Sequence, residues 1–215
     1  SREIGLNGPM ADQCIIGEPS DLAVCPAHKG QHGLFIRTFG KAVHSSIPEQ
    51  GENAIERMAR VVTALSDYNV ELSSRKPHPL CGHGRYSPGV IRGGDLVSAV
   101  PDFCELEIDR RLLPGDSAES VRRDIDNRLE SLKVDDPGFR YEISEPSWDI
   151  PANDIPLDSP VVRSLLASSQ LLTGSPAQAS AFPGATDAPN LGSPAVVCGP
   201  GSLVQAHSLN EYVEI

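Results

Sequence analysis

Between Glu52 and Tyr68, the apolar residues Ile55, Met58, Val62 and Leu65 recur every three or four positions, which predicts an amphipathic helix. Before it, "GLFIRTF" (33–39) is dense in β-formers and stops at Gly40, as a strand would. After it, "YSPGVIRGG" (86–94) reads as an edge strand, because Pro88 has no N–H to give a central ladder. "DFCELEIDR" (102–110) alternates cleanly, with Cys104, Leu106 and Ile108 toward a core and Glu105, Glu107 and Asp109 toward water. A second helix follows from "GDSAESVRRDIDNRLESL". Asp116 is its expected N-cap, with Glu119 at capping-box spacing, and Val121, Ile125, Leu129 and Leu132 form one buried stripe. "FRYEIS" (139–144) closes the series as a last strand. The order is β-α-β-β-α-β, a split unit of the ferredoxin-like kind, assigned to residues 27–145.

The flanks do not repeat this self-sufficiency. Residues 1–26 carry one expected strand within "DQCIIGEPSDLAV". Residues 146–215 carry one helix, capped by Ser159 with Pro160 in its first position, and one strand, "AVVC". Two strands and a helix cannot cover both of their faces. They read as two pieces of an α/β domain interrupted by the ferredoxin-like unit, with most of that domain outside this chain. The fold class is therefore α/β, with an inserted α+β unit.

Charge narrows the function classes. With a formal net charge of -11 and a pI near 4.9, the chain lacks the basic surface that nucleic acid or an anionic membrane requires. No apolar run is long enough to cross a bilayer, and the first residues hold no secretory h-region. Five scattered cysteines without a CxxC pair argue against a zinc finger or a disulfide framework and suit a reducing compartment, the cytoplasm.

Several loops hold residues suited to chemistry. In "IIGEPSD" a strand ends, a glycine turns the chain and Glu18 stands at the strand's C-terminal edge, where α/β sheets bind ligands. A turn carboxylate accepting hydrogen bonds is the plainer alternative. "AVVCGPGSLVQAH" repeats the arrangement with His207, near Glu211. "GPG" lacks the third glycine and the ribose-binding acid of a dinucleotide site, so that reading is dropped. One carboxylate and one imidazole suit zinc, although two ligands by spacing alone do not make a site. His44, in "GKAVHSSIPEQGENA", is either a local group at the start of the helix or a tunable donor to an oxyanion. Arg111, in "IDRRLLPGDS", either pairs with surface acids or holds a substrate carboxylate in its guanidinium fork. "FPGATDAPNLG" places small residues around Asp187, as a plain turn or as a close approach to a ligand.

Taken in order, "IIGEPSD", "AHKGQHG", "GKAVHSSIPEQGENAIERM", "GGDLVSAVPDFCELEIDRRLLPG" and "GPGSLVQAHSLNEYVE" resemble the dinuclear-zinc amidohydrolases and peptidases that include acetylornithine deacetylase, succinyl-diaminopimelate desuccinylase and aminoacylase. The resemblance covers nearly the whole chain and leans toward the acetylornithine deacetylase branch. It implies a catalytic α/β domain with two zinc ions (or cobalt), interrupted by a ferredoxin-like lid that forms a homodimer. It further implies that Glu18 and His207 are metal ligands and that His44 reaches the partner's active site to stabilise a tetrahedral intermediate. Arg111 would hold the substrate's α-carboxylate, with Lys29 a weaker candidate for the same pocket and Gly184, Thr186 and Asp187 on a substrate-lining turn. The substrate would be a small N-acyl amino acid.

Two departures qualify the resemblance. Ser98 stands where the family usually has Asn. The family's first zinc histidine, its bridging aspartate and its paired glutamates, one of them the general base, precede the region that this chain matches. The chain is thus expected to be a fragment, with the helix after His207 cut short, and inactive by itself. The rival expectation is a non-catalytic dimerisation or binding module, since the lid pattern is complete.

Overall fold

The computed structural model describes residues 2–8, 11–145 and 149–213. The chain runs α1 (Arg2–Asn7), β1 (Cys14–Ile16), β2 (Val24–His28), β3 (Gly30–Phe39), α2 (Ala54–Ser74), β4 (Arg85–Gly93), β5 (Phe103–Leu112), α3 (Ala118–Ser131) and β6 (Arg140–Ser144). It continues through β7 (Asp149–Ile150), β8 (Asn153–Asp154), α4 (Pro160–Thr173), β9 (Ala179–Phe182) and β10 (Ala195–Val197). Among the described residues no helix is long and apolar enough to cross a membrane.

The larger sheet has the order β4-β5-β3-β6, every neighbouring pair antiparallel, with β7 also paired to β3. This is the ferredoxin-like order, and α2 and α3 cover one face. Leu34 and Ile36 of β3 meet Leu106 and Ile108 of β5, Met58 and Leu65 of α2, and Ile125 and Leu129 of α3 in one core. Burying each such side chain contributes about 1.5–3 kcal/mol, which makes this core the dominant stabilising feature. β5 alternates as expected, and β4 is the edge strand, with a register shift between Pro88 and Val90.

Two details of the helices differ from the pattern. The buried stripe of α2 runs Ala54, Met58, Val61, Leu65, Tyr68 and Leu72, while Ile55 is exposed and Val62 only partly buried. The cap of α3 is Ser117, not Asp116: its hydroxyl accepts from Ser120 N–H, and the Ser120 hydroxyl reciprocates to Ser117 N–H. Asp116 is taken up one turn earlier, accepting from Leu113 N–H at 3.0 Å and from Arg110 at 2.8 Å.

The second sheet has the order β1-β10-β2-β8, with β9 parallel to β2. β1 and β10 are parallel, pairing Cys14 with Ala195 and Ile16 with Val197. "DQCIIGEPSDLAV" is therefore interrupted: β1 ends at Ile16 and β2 begins at Val24, with Asp21 and Leu22 in the left-handed region between them. The segment after 145 likewise adds the short strands β7, β8 and β9 to the one strand expected. Ser159 occupies the N-cap position of α4, but its hydroxyl caps nothing. Among the described residues no helix follows His207: residues 203–210 are mostly turns, and the last two residues lie outside the described ones. Two small clusters, one around Val24, Val162 and Val196 and one around Cys25, Phe182 and Val197, make up this sheet's core.

The two sheets are joined where β2 runs into β3 and β7 returns toward β8. Gln31 pairs with Ile150, and His28 pairs with Asn153. The Asn153 side chain donates to the carbonyls of Pro26 and Ala195, fastening the return strand to two strands of the second sheet.

Candidate active site

Glu18 and His207 sit on loops that leave the C-terminal ends of the parallel strands β1 and β10. Ser20 N–H and Leu22 N–H donate to Gly199 O, Asp21 N–H donates to Gly201 O, and Cys198 N–H donates to Ile16 O. Gly199 permits the approach: a Cβ there would lie 2.5 Å from the carbonyl oxygen of Glu18. His207 holds φ 64, uncommon for a residue with a side chain, and Glu211 accepts its backbone N–H at 3.1 Å. Backbone strain of this sort concentrates at functional loops. The Glu211 carboxylate is thus turned to the backbone of His207. Neither the Glu18 carboxylate nor the His207 ring has a hydrogen-bond or ion-pair partner among the described residues. A carboxylate and an imidazole free for ligation fit zinc or cobalt as two donors. Among the described residues no three His, Cys, Asp or Glu side chains gather around one such point.

His44 and Ser98 are brought together on a different loop pair. Ser45 N–H donates to Ser98 O at 2.8 Å, and Val100 N–H donates to Val43 O at 2.9 Å. His44 Nδ1 accepts from Ser46 N–H at 3.2 Å and lies 2.8 Å from the Ser46 hydroxyl. A backbone N–H can only donate, so the neutral ring carries its proton on Nε2. The ring is exposed and presents that donor outward.

Arg111 and Lys29 lie at the opposite end of the larger sheet. Arg111 pairs with Gln31 and with Arg85 across the strands, and its Nε donates to Asp109 at 2.9 Å. Lys29 Nζ donates to the His83 carbonyl at 2.7 Å. Burial lowers the Lys29 pKa, and the positive charges of Arg85, Arg110 and Arg111 push the same way. β3 alone, ten residues at about 3.3 Å each, separates this end from the His44 loop by about 30 Å. The His44 loop therefore does not join Arg111 and Lys29 within one chain, and the Glu18 and His207 loops lie beside the start of β2 while Lys29 follows its end.

The Gly184–Asp187 turn follows β9. Thr186 is buried and faces inward, its hydroxyl 3.0 Å from His28 Nε2 and accepting from Ala188 N–H at 3.1 Å. His28 is a residue that the motif reading passed over, although "AHKG" contains it.

Residues 26–137 match the family described as the peptidase dimerisation domain. The chain belongs to the peptidase dimerisation-domain family. Relatives with curated names include an acetylornithine deacetylase from Proteus mirabilis, 35% identical over 208 residues that cover 95% of this chain and 52% of the relative. Another, from Vibrio vulnificus, is 36% identical across 94% of this chain and 53% of its own length. The chain thus spans about half the length of the curated relatives it matches. Among solved structures, a tripeptidase from Staphylococcus aureus superposes with a TM-score of 0.70 at 20% identity, over 93% of this chain and 54% of that one. An aminopeptidase from Bacillus cereus gives 0.68 at 16% identity, over 93% and 54%. These structural relatives share the dimerisation-domain fold and the flanking sheet.

Proposed function

We propose that this peptidase dimerisation-domain chain works within a cytoplasmic, homodimeric, metal-dependent amidohydrolase that cleaves the amide bond of small N-acyl amino acids. The observation that carries the reading is the pair of stitched loops that set Glu18 and His207 at one edge of the second sheet. Glu18 and His207 would each hold a metal ion, zinc or cobalt. When bound, the metal supplies an activated water and polarises the amide carbonyl. Arg111 grips the substrate's α-carboxylate in its fork, with Lys29 adding positive charge beside it. Gly184 and Asp187 line the acyl amino acid, and Thr186 anchors that turn from below. His44, with its proton on Nε2, donates to the carbonyl oxygen of a substrate bound by the partner subunit as negative charge develops there. Ser98, next to His44, assists with a hydroxyl in place of the usual amide. The base that takes the water's proton comes from residues outside this chain. N-acetylornithine is the leading substrate, supported by the names of the relatives, with N-succinyl-diaminopimelate and other N-acyl amino acids behind it.

The assay is amine release from a panel of N-acyl amino acids by the metal-loaded protein that contains this chain, with the 215-residue chain alone as control. Hydrolysis by the former and none by the latter is expected. Activity of the chain alone, or none in either, would overturn the reading. The rival, a dimerisation module without catalysis, draws on the match of the dimerisation family to residues 26–137. It predicts a stable dimer and no metal-dependent turnover.

A further inference from the structure

We propose that His28 is a positioning residue that fixes the substrate-lining Gly184–Asp187 turn through Thr186; its role as substrate support rests on the reading above. The imidazole is fully buried, so each ring nitrogen needs a partner. Nδ1 lies 2.9 Å from the Lys29 carbonyl, which can only accept, so Nδ1 carries the proton. Nε2 is then the acceptor and takes the Thr186 hydroxyl proton at 3.0 Å. The same hydroxyl oxygen accepts Ala188 N–H, so the Thr186 side chain is locked from both sides.

The Asp187 carbonyl accepts Asn190 N–H at 2.9 Å on the far side of the turn. Its residues are small, and the chain next to it runs through a short 3-10 segment at Ala188–Asn190. β9 delivers the turn alongside β2, with His28 paired to Phe182 two residues before Gly184. Burial also lowers the His28 pKa, which keeps the ring neutral and Nε2 able to accept. The residue after His28 extends the device: Lys29 gives its carbonyl to the ring and its ammonium to the His83 carbonyl in the α2–β4 loop. One dipeptide thus ties the substrate turn to a loop of the larger sheet's unit.

Two measurements on the full 215-residue chain test the geometry. Long-range proton–nitrogen correlation should show His28 as the Nδ1–H tautomer from pH 6 to 8. Amide exchange at Ala188 should quicken at least tenfold in His28→Leu and in Thr186→Val, no further in the double variant, and return toward normal in His28→Gln, whose amide oxygen reaches the Nε2 position. In the metal-loaded enzyme His28→Leu should raise KM about tenfold with kcat within twofold, again restored by His28→Gln. An Nε2–H tautomer in the unaltered chain, unchanged Ala188 exchange, or equal defects in the Leu and Gln variants would overturn the proposal. Absence of hydrolysis by the unaltered enzyme would instead defeat the functional reading, and the tautomer and exchange data would still decide whether His28 holds the turn.

Discussion

Gly30 and Ile150 touch backbone to backbone: a methyl group on the glycine would stand 2.5 Å from the Ile150 carbonyl oxygen and 2.6 Å from Ala152 N. Here the chain entering the larger sheet passes the chain leaving it, and no side chain fits between them. Gly30→Ala is expected to destabilise the protein by about 1–3 kcal/mol through overpacking. Thermal melting should show this as a drop of several degrees. An unchanged midpoint would mean that the two connections separate easily.

Arg57 of α2 is nearly buried and makes a two-pronged contact with Asp136, Nε to Oδ2 at 2.9 Å and Nη2 to Oδ1 at 3.1 Å. Hydrogen bonding from Arg57 holds the Asp136 carboxyl below its ordinary range. A carboxyl whose folded pKa is depressed stabilises the fold above its unfolded value, about 3.9, and that stability is lost as pH falls through the folded value. Asp136→Asn leaves the buried guanidinium with Glu52, 2.8 Å from its Nη1, as remaining carboxylate partner and should cost about 2 kcal/mol near neutrality. Denaturant titrations at pH 7 and below pH 3 should show the gap between the two proteins closing in acid.

Three of the four tyrosines should resist ionisation. Burial, and next the Asp124 carboxylate that its hydroxyl contacts, push Tyr68 up to about 12. Burial chiefly raises Tyr86, against the lowering charge of Arg110, while Tyr141 is raised by burial and by Glu130 and Asp126. Ultraviolet titration at pH 11 should find Tyr68, Tyr86 and Tyr141 still protonated. A phenol whose folded pKa is raised contributes stability that is complete below about pH 10 and lost as pH rises through the folded value. Stability should therefore decline between pH 10 and 12. Ionisation of Tyr68, Tyr86 and Tyr141 at pH 11 in folded protein would contradict this packing.

The distance between His44 and the Lys29–Arg111 end of its own chain gives the dimer a clear test. His44→Ala should lower kcat about 10²–10³-fold in the metal-loaded enzyme. A Glu18→Gln subunit should be inactive for a different reason. Mixed at equal amounts and allowed to exchange, the two dead variants should recover about a quarter of normal activity, because each hybrid dimer holds one intact site. No recovery would place His44 at its own subunit's site.

What was legible in the sequence followed from periodicity and length. β5 and α3 were readable because their side chains alternate or step at the helical period over ten residues or more. α2 was readable as a helix, yet it runs six residues past Tyr68 to Ser74, and its stripe was misplaced by one position at its start, where the small Ala54 faces the core and the larger Ile55 faces out. β7, β8 and β9 are two to four residues long, too short for any pattern, and exist through their pairing with β3 and β2. The α3 cap was misread because Asp116 and Ser117 are both good caps, and only the nearby Arg110 decides which one is free. For the candidate site, the strand–glycine–loop arrangement is what singles out Glu18 and His207 in the sequence. His28 stayed hidden because its meaning depends on Thr186, 158 positions away.

The side-by-side entry and exit of the larger sheet have a consequence for how such proteins are assembled over evolution. Since Gln31 lies opposite Ile150 and Phe35 opposite Ser144, the ends of the inserted unit sit one strand spacing apart, about 5 Å. A unit with adjacent ends and its own core can be added to a host loop, or removed from it, without pulling the host apart. The ferredoxin-like unit is in that sense a portable cassette. A short turn joining its two ends should release it as an independent small protein, and the host strands β2 and β8 would then need only a hairpin to rejoin.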